Sequence, residues 1–323
     1  MVSVIVPVYN RAAMIADTLA SLMAQDYPHD LLEIIIVDDA STDETPTVVQ
    51  AARERSVFSI VSCLHAERRG PAAARNTGIA RAKGEILGFT DSDCRPSPRW
   101  VSCAVSSFRP EVGLVSGPIH PVTNPARWPG YFHHQMPEVR GENPLYPTAN
   151  IFFLKKVVQT VGGFDERFTM VVGEDTDLAW RIKRSGYQSA FAEGAVVDHE
   201  ASRISVGKWL REPLRNQIFP HLMAKYPELR HELLWGGCFM FRDTPAIYLA
   251  LTGLITAATT GFIGAIATVL PLLYIMRSLA YYDLKDPRRW WKIPVKYVLH
   301  ITRLLITVGA LWYGSLRFRV LVI

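Results

Sequence analysis

Four short apolar runs, spaced by segments of helical periodicity, leave this chain few ways to fold. Val2-Ser3-Val4-Ile5-Val6-Pro7-Val8 is nearly continuous and rich in β-branched residues. Such a run suits a strand buried on both faces of a parallel sheet. Proline cannot donate to a ladder, so pairing is expected to stop at Pro7. Met14, Ile15, Thr18, Leu19, Leu22 and Met23 then fall at helical spacing, up to the break at Tyr27-Pro28. Glu33-Ile34-Ile35-Ile36-Val37, Phe58-Ser59-Ile60-Val61-Ser62 and Glu85-Ile86-Leu87-Gly88 are the next three strands. Ser41 or Thr42 is placed to cap the helix after the second strand. Pro71 opens the helix before the fourth, and Gly84 closes it. The alternation predicts an α/β class, a doubly wound, mostly parallel sheet with flanking helices.

Sheets of this kind bind ligands beyond the carboxyl ends of their strands. Pro7-Val8-Tyr9, Asp38-Asp39 and Asp91-Ser92-Asp93 all fall at that edge. Asp91 and Asp93, two positions apart, face one side. Two carboxylates so placed repel unless a cation lies between them, and Mg²⁺ or Mn²⁺ with oxygen ligands meets that need and brings a diphosphate with it. The structural alternatives are an Asx-rich turn for Asp91-Ser92-Asp93 and helix capping for Asp38 and Asp39. The sequence has neither a Gly-rich dinucleotide loop nor a Gly-Lys-Ser phosphate loop, which leaves a cation as the means of holding phosphate.

Downstream, Val112 to Gly117 reads as a strand, and residues 118–147 as an irregular excursion over an acceptor side. His133 and His134 are adjacent and point apart, so they are read as surface residues and not as metal ligands. Thr148 to Phe153 is a further strand. Gly173-Glu174-Asp175-Thr176-Asp177 precedes a helix bearing Leu178, Ala179 and Ile182 on one side. Its acids sit where a helix N-terminus stabilises carboxylates.

Taken as an ordered set, Val4 to Asn10, Ile36 to Asp43, Ala74-Arg75-Asn76-Thr77-Gly78, Asp91-Ser92-Asp93, Gly162-Gly163-Phe164-Asp165-Glu166 and Gly173-Glu174-Asp175 resemble glycosyltransferase family 2, on a GT-A fold. The resemblance covers roughly the first two hundred residues. It implies that Pro7, Val8 and Tyr9 pack beside a nucleobase and that Asp39 accepts a hydrogen bond from it. It puts Arg75 along the diphosphate, and Asp93 on the metal. Asp91 would touch the metal or the sugar–ribose region, with Ser92 and Asn150 completing the donor site. His199 would complete the metal shell; a core or surface histidine is the alternative. Asp175 would be the general base, with Glu174 as a second candidate. A transferase must take a proton from the acceptor hydroxyl, and a partly desolvated carboxylate within reach does so.

The 49% apolar fraction is unevenly spread. Residues 206–226 carry Trp209, Leu210, Leu214, Ile218 and Phe219 among Lys208, Arg211 and Arg215, with breaks at Pro213 and Pro220. That pattern fits an amphipathic helix in a membrane interface or one covering the sheet. Ala246 to Met276 contains no charged residue and exceeds the roughly 20 residues of one span. Gly253, Gly261, Gly264 and Pro271 allow a hairpin of two short helices or one tilted span; the hairpin is expected because it keeps the basic loop from Arg277 to Lys292 on the side of the catalytic domain. In residues 294–315, Lys296, His300 and Arg303 oppose Val295, Val298, Leu299 and Leu305, as in a helix lying in the interface.

The divisions expected are therefore 1–205, a catalytic domain; 206–244, interface helices; and 245–323, a membrane hairpin near 246–276 with an interfacial helix. Basic residues from Arg277 to Arg319 outnumber the acids there, as for a cytoplasmic face on anionic lipid and not for a nucleic-acid groove. The four cysteines lack metal or redox spacing, so free thiols are expected. No leader is expected before the strand at Val2. The resemblance thus implies an inverting, metal-dependent transfer of one sugar from a nucleotide-diphospho-sugar to a lipid-linked acceptor in envelope polysaccharide or glycolipid synthesis. The Gln-X-X-Arg-Trp motif of processive relatives is absent; Gln217 is followed by Ile218-Phe219-Pro220. A polyprenyl-phosphate acceptor, or a silent nucleotide-sugar-binding membrane scaffold, are the rival readings.

Overall fold

The computed structural model describes residues 1–123, 133–134, 138–168, 172–241, 244–260, 262–280 and 293–323. They divide into two units, Met1–Ile204 and Ser205–Ile323. The first opens with β1 (Val2–Val8), α1 (Ala12–Met23), β2 (Leu32–Asp38), α2 (Thr45–Arg55), β3 (Ser59–Leu64), α3 (Pro71–Arg81) and β4 (Ile86–Phe89). It continues through β5 (Cys94–Pro96), α4 (Trp100–Ser106), β6 (Val112–Ser116), β7 (Ile119–Val122), β8 (His133–His134), β9 (Ile151–Leu154) and α5 (Lys155–Thr160). It ends with α6 (Glu174–Arg184), β10 (Gln188–Phe191), β11 (Val197–Glu200) and β12 (Ser202–Arg203).

The main sheet has seven strands in the order β10-β6-β9-β4-β1-β2-β3. All pairs are parallel except those of β9 with β4 and β6. Val4, Ile5, Val6, Ile34, Ile35, Ile36, Leu87 and Phe89 are fully buried, which is why these runs lack the alternation of a half-exposed strand. The ladder does not stop at Pro7. Val8 pairs with Asp38 on the β2 side, whereas pairing with β4 ends at Ile5 opposite Phe89. The Ile5 carbonyl accepts from Thr90 and the Val8 carbonyl from Asp39, so odd positions point toward β4. The hydrogen that Pro7 lacks therefore falls where β4 has already left.

This register sets the tips after Val8, Asp38 and Phe89 side by side. A second sheet, β5-β11-β7, brings His199 of β11 opposite Cys94 of β5. Ser41 and Thr42 do not cap α2, which starts at Thr45 without a side-chain cap from Glu44. They bond the β1 tip instead, as described below. The excursion after residue 118 carries β7, a bridge between Ile119 and Val139, and β8, which pairs with β12. Residues 124–132 and 135–137 of it lie outside the described residues. None of the four cysteines is bonded to another.

The second unit comprises α7 (Val206–Arg211), a 3-10 segment Glu212–Gln217, α8 (Ile218–Lys225), α9 (Leu229–Leu233), α10 (Thr244–Thr260), α11 (Phe262–Ala280) and α12 (Ile293–Phe318). The break expected at Pro213 is present, but Pro220 lies in the first turn of α8, where no intrahelical N–H is needed. Residues 246–276 form two helices and not one span. Gly253 of α10 meets the α11 backbone so closely that a Cβ would lie 2.7 Å from Ala267 and Thr268. Ile247 and Ala250 are buried, whereas Leu254, Ile255, Ile263, Val269 and Leu270 are exposed. No helix among the described residues is long and apolar enough to cross a membrane.

In α12 the polar residues His300 and Arg303 turn inward, and the Lys296 side chain lies outside the described residues. Arg303 covers the Trp209 ring at 4.5 Å, donates to the Trp209 carbonyl and reaches Glu212 at 3.2 Å. His300 packs on Trp209 as well. Val295, Val298, Trp312, Tyr313 and Leu316 face out. The boundary residues Arg242 and Asp243, and the basic stretch 281–292, lie outside the described residues.

Candidate active site

At the β1 tip, Asn10 adopts a left-handed conformation with φ 51°. Its N–H donates to Ser41 Oγ at 2.9 Å, and its side-chain oxygen accepts from the Thr42 N–H at 2.8 Å. The Arg11 N–H donates to Thr45 Oγ1 at 2.9 Å and the Ala12 N–H to Asp43 at 3.1 Å. The loops after β1 and β2 are therefore joined into one rim. Tyr9 stands on it, with the Arg68 guanidinium 4.2 Å from its ring centroid.

Asp39 is buried. Its oxygens accept from the backbone N–H groups of Arg69 and Gly70, each at 2.8 Å, and one lies 2.7 Å from His65 Nδ1. The other His65 nitrogen is 2.9 Å from Thr77 Oγ1. Sequence reasoning gave Asp39 to a nucleobase; here its carboxylate closes the turn after β3, because two backbone donors and an imidazole converge on it.

Asp91, Asp93, Cys94 and His199 form a cluster whose ligating atoms all lie within 4.8 Å of one another, among the described residues. His199 Nε2 is 3.5 Å from Asp93 Oδ1, and Arg11 Nε is 4.0 Å from Asp93 Oδ2. Ser92 is buried between the two acids. The buried Nδ1 of His199 has no hydrogen-bond partner. Two carboxylates and the His199 Nε2, which faces Asp93, fit a hard divalent cation. Cys94 does not add to that set: burial, reinforced by Asp91 and Asp93, drives its thiol pKa well up, and a thiol is not a ligand.

Across from these groups, α6 begins with two more acids. Arg75, only 4% exposed, joins the two sides. Its guanidinium donates to Glu174 at 2.9 Å and to Asp91 at 3.1 Å, over the Phe164 ring. The consecutive small residues Ala72, Ala73 and Ala74 are buried, which lets α3 lie close to the sheet and carry Arg75 inward. Burial, the adjacent Glu174 charge and only partial relief from the Thr176 and Thr148 N–H groups and Arg75 push the Asp175 carboxyl up to about 7. A carboxyl with that pKa takes and returns protons near neutrality.

Residues 3–164 match the family model described as glycosyl transferase family 2, and residues 88–313 that of glycosyl transferase family group 2. The chain belongs to glycosyl transferase family 2. It is 33% identical over 208 residues to the glycosyltransferase AglE of Haloferax volcanii, 62% of this chain and 67% of that one. It is 30% identical over 251 residues to the pre-mycofactocin glycosyltransferase of Mycobacterium tuberculosis, 73% of this chain but 50% of that one. Among solved structures, the mannosyltransferase PcManGT of Pyrobaculum calidifontis, in complex with GDP-Man and Mn²⁺, superposes with a TM-score of 0.66 at 25% identity. That match covers 95% of this chain and 86% of the other. The fold is GT-A.

Within this glycosyltransferase, Pro7 and Val8 end β1 beside Tyr9, as expected from their order. Asn150 does not reach the cleft. It is 1% exposed, accepts from the Trp100 indole, and gives its amide hydrogens to the carbonyls of Pro118 and Ala195. Both amide hydrogens of Asn150 are thus spent on backbone carbonyls of this chain. Arg75 is not stretched along an open groove but is enclosed by carboxylates. Glu174 is buried and held by Arg75, which leaves Asp175 as the acid with a proton to exchange. Sequence reasoning missed Arg11, Arg68 and His65. Arg11 follows the strand tip directly, and that position was its signal.

Proposed function

We propose that this glycosyltransferase takes one sugar from a nucleotide-diphospho-sugar and inverts its anomeric centre. Asp91, Asp93 and His199 would hold Mg²⁺ or Mn²⁺, which when bound neutralises charge on the leaving diphosphate. Asp175 removes the acceptor hydroxyl proton. The oxygen so freed bonds to the anomeric carbon from the opposite face, and the bond to the diphosphate oxygen breaks with its electron pair. The observation that carries this reading is Arg75, bonded on one side to Asp91 of the cation set and on the other to Glu174, the chain neighbour of Asp175. The GDP-Man and Mn²⁺ of the Pyrobaculum enzyme support the donor class and the ion.

A lipid-linked acceptor at the cytoplasmic face of the cell membrane is the second part of the proposal. Hairpin α10–α11 turns small residues inward and large apolar ones outward, and α12 turns His300 and Arg303 inward. Helices that face lipid are built that way round. The basic stretch from Arg277 to Lys292 supports the cytoplasmic side. Polyprenyl phosphate and polyprenyl-diphosphate oligosaccharides are the acceptors to compare.

The test is release of free nucleoside diphosphate from GDP-, UDP- and ADP-sugars with Mn²⁺, with and without polyprenyl acceptors, together with flotation on anionic liposomes. Acceptor-dependent release and co-flotation are expected. No release from any donor would sink the transferase mechanism; protein left at the bottom of the gradient would sink the membrane part.

A further inference from the structure

We propose that Arg11 is the arginine that grips the donor diphosphate in this enzyme. The proposal rests on the nucleotide-sugar reading above and names the residue that does what the sequence assigned to Arg75.

Most cations at the strand-tip edge are already committed. Arg75 is enclosed between Asp91 and Glu174. Arg95 pairs with Glu200 at 2.8 Å, Arg69 with Glu166 at 3.2 Å, and Arg68 lies on Tyr9. Arg11 has one long contact, 4.0 Å from its Nε to Asp93, and its side chain is 38% exposed. Among the described residues its terminal nitrogens make no other ion pair.

Its backbone, by contrast, is fixed. The left-handed Asn10 and the bonds from Asn10, Arg11 and Ala12 to Ser41, Thr45 and Asp43 hold the start of α1 against the β2 loop. A flexible head on a rigid stem is thereby set over the cation set.

Charge decides what that head is for. Four carboxylates, Asp91, Asp93, Glu174 and Asp175, crowd this site, and Arg75 is already bonded to two of them. Among the described residues at this edge, Arg11 and Arg68 are the arginines that no close ion pair holds, and Arg11 is the one that touches the cation set. A guanidinium forms short, charge-assisted pairs with phosphate oxygens, and these replace the long contact to Asp93 once that carboxylate faces a metal.

Calorimetry with Mn²⁺ tests this. GDP, UDP, ADP and CDP are titrated into the full chain, and the best binder is followed by its monophosphate and nucleoside. Arg11→Gln is expected to weaken the diphosphate about tenfold, the loss of one charge-assisted contact pair. The monophosphate and nucleoside should change less than about threefold, and Arg11→Lys should fall between. An unchanged melting temperature shows that the rim is intact. Equal weakening of diphosphate and nucleoside, or wild-type affinity for the diphosphate in Arg11→Gln, would overturn the assignment. Wild-type protein that binds none of the four would instead sink the nucleotide-sugar reading on which it stands.

Discussion

Two pairs of acids face each other in this site, and they are the same chemistry in different surroundings. Asp91 and Asp93 stand at a strand tip, partly open, beside an imidazole and an arginine head. Glu174 and Asp175 stand at a helix start, enclosed, with one arginine between them and the first pair. The open pair suits a cation; in the closed pair, burial and the Glu174 charge raise the Asp175 carboxyl to about 7. Environment, and not residue type, separates a ligand from a base.

Single substitutions separate the two pairs. Asp93→Ala is expected to lower transfer by about 10³-fold or more and to abolish the Mn²⁺ dependence of nucleoside diphosphate binding. Asp175→Asn is expected to cost about 10²- to 10⁴-fold in kcat while leaving that binding intact. If both variants lose binding alike, the pairs are not distinct in role.

Arg75→Met leaves Glu174 buried without a partner, at a cost of about 3–5 kcal/mol in unfolding free energy. Urea denaturation measures this; a loss below about 1 kcal/mol would show that the pairs do not depend on the link.

The smallest expected effect is on pH. Asp175 acts deprotonated, so kcat/KM should fall about tenfold per unit below about pH 7. Removing the Glu174 charge takes away an influence that raises Asp175. Glu174→Gln should therefore move this acid limb to lower pH. A limb that stays in place would mean burial alone sets it.

The sheet was readable because strands buried on both faces leave no freedom for polar residues, and the acidic tips stood out against those runs. What the sequence hid was direction. Arg75 sits on a helix whose small neighbours bring it inward, although an arginine before Asn76 and Thr77 looks equally suited to a groove. Asn150 and Asp39 have the right chemistry for a donor, but local geometry gives their bonds to backbone groups of this chain first. In α12 the two-sided pattern was visible, yet periodicity does not say which side meets the rest of the unit, and here Trp209 takes His300 and Arg303 of the polar one.

The position of β9 has a consequence for synthesis. It lies between β4 and β6 and runs against both, yet it is encoded after β6. Strands β1 to β4 pair only with one another and with β9. Strand β6 has no edge to join until residues 151–154 emerge and dock. Until β9 is made the edge of β4 is bare, and the half of the cleft that bears Asp175 is encoded after it. A nascent chain stalled before residue 150 would expose that edge to its neighbours.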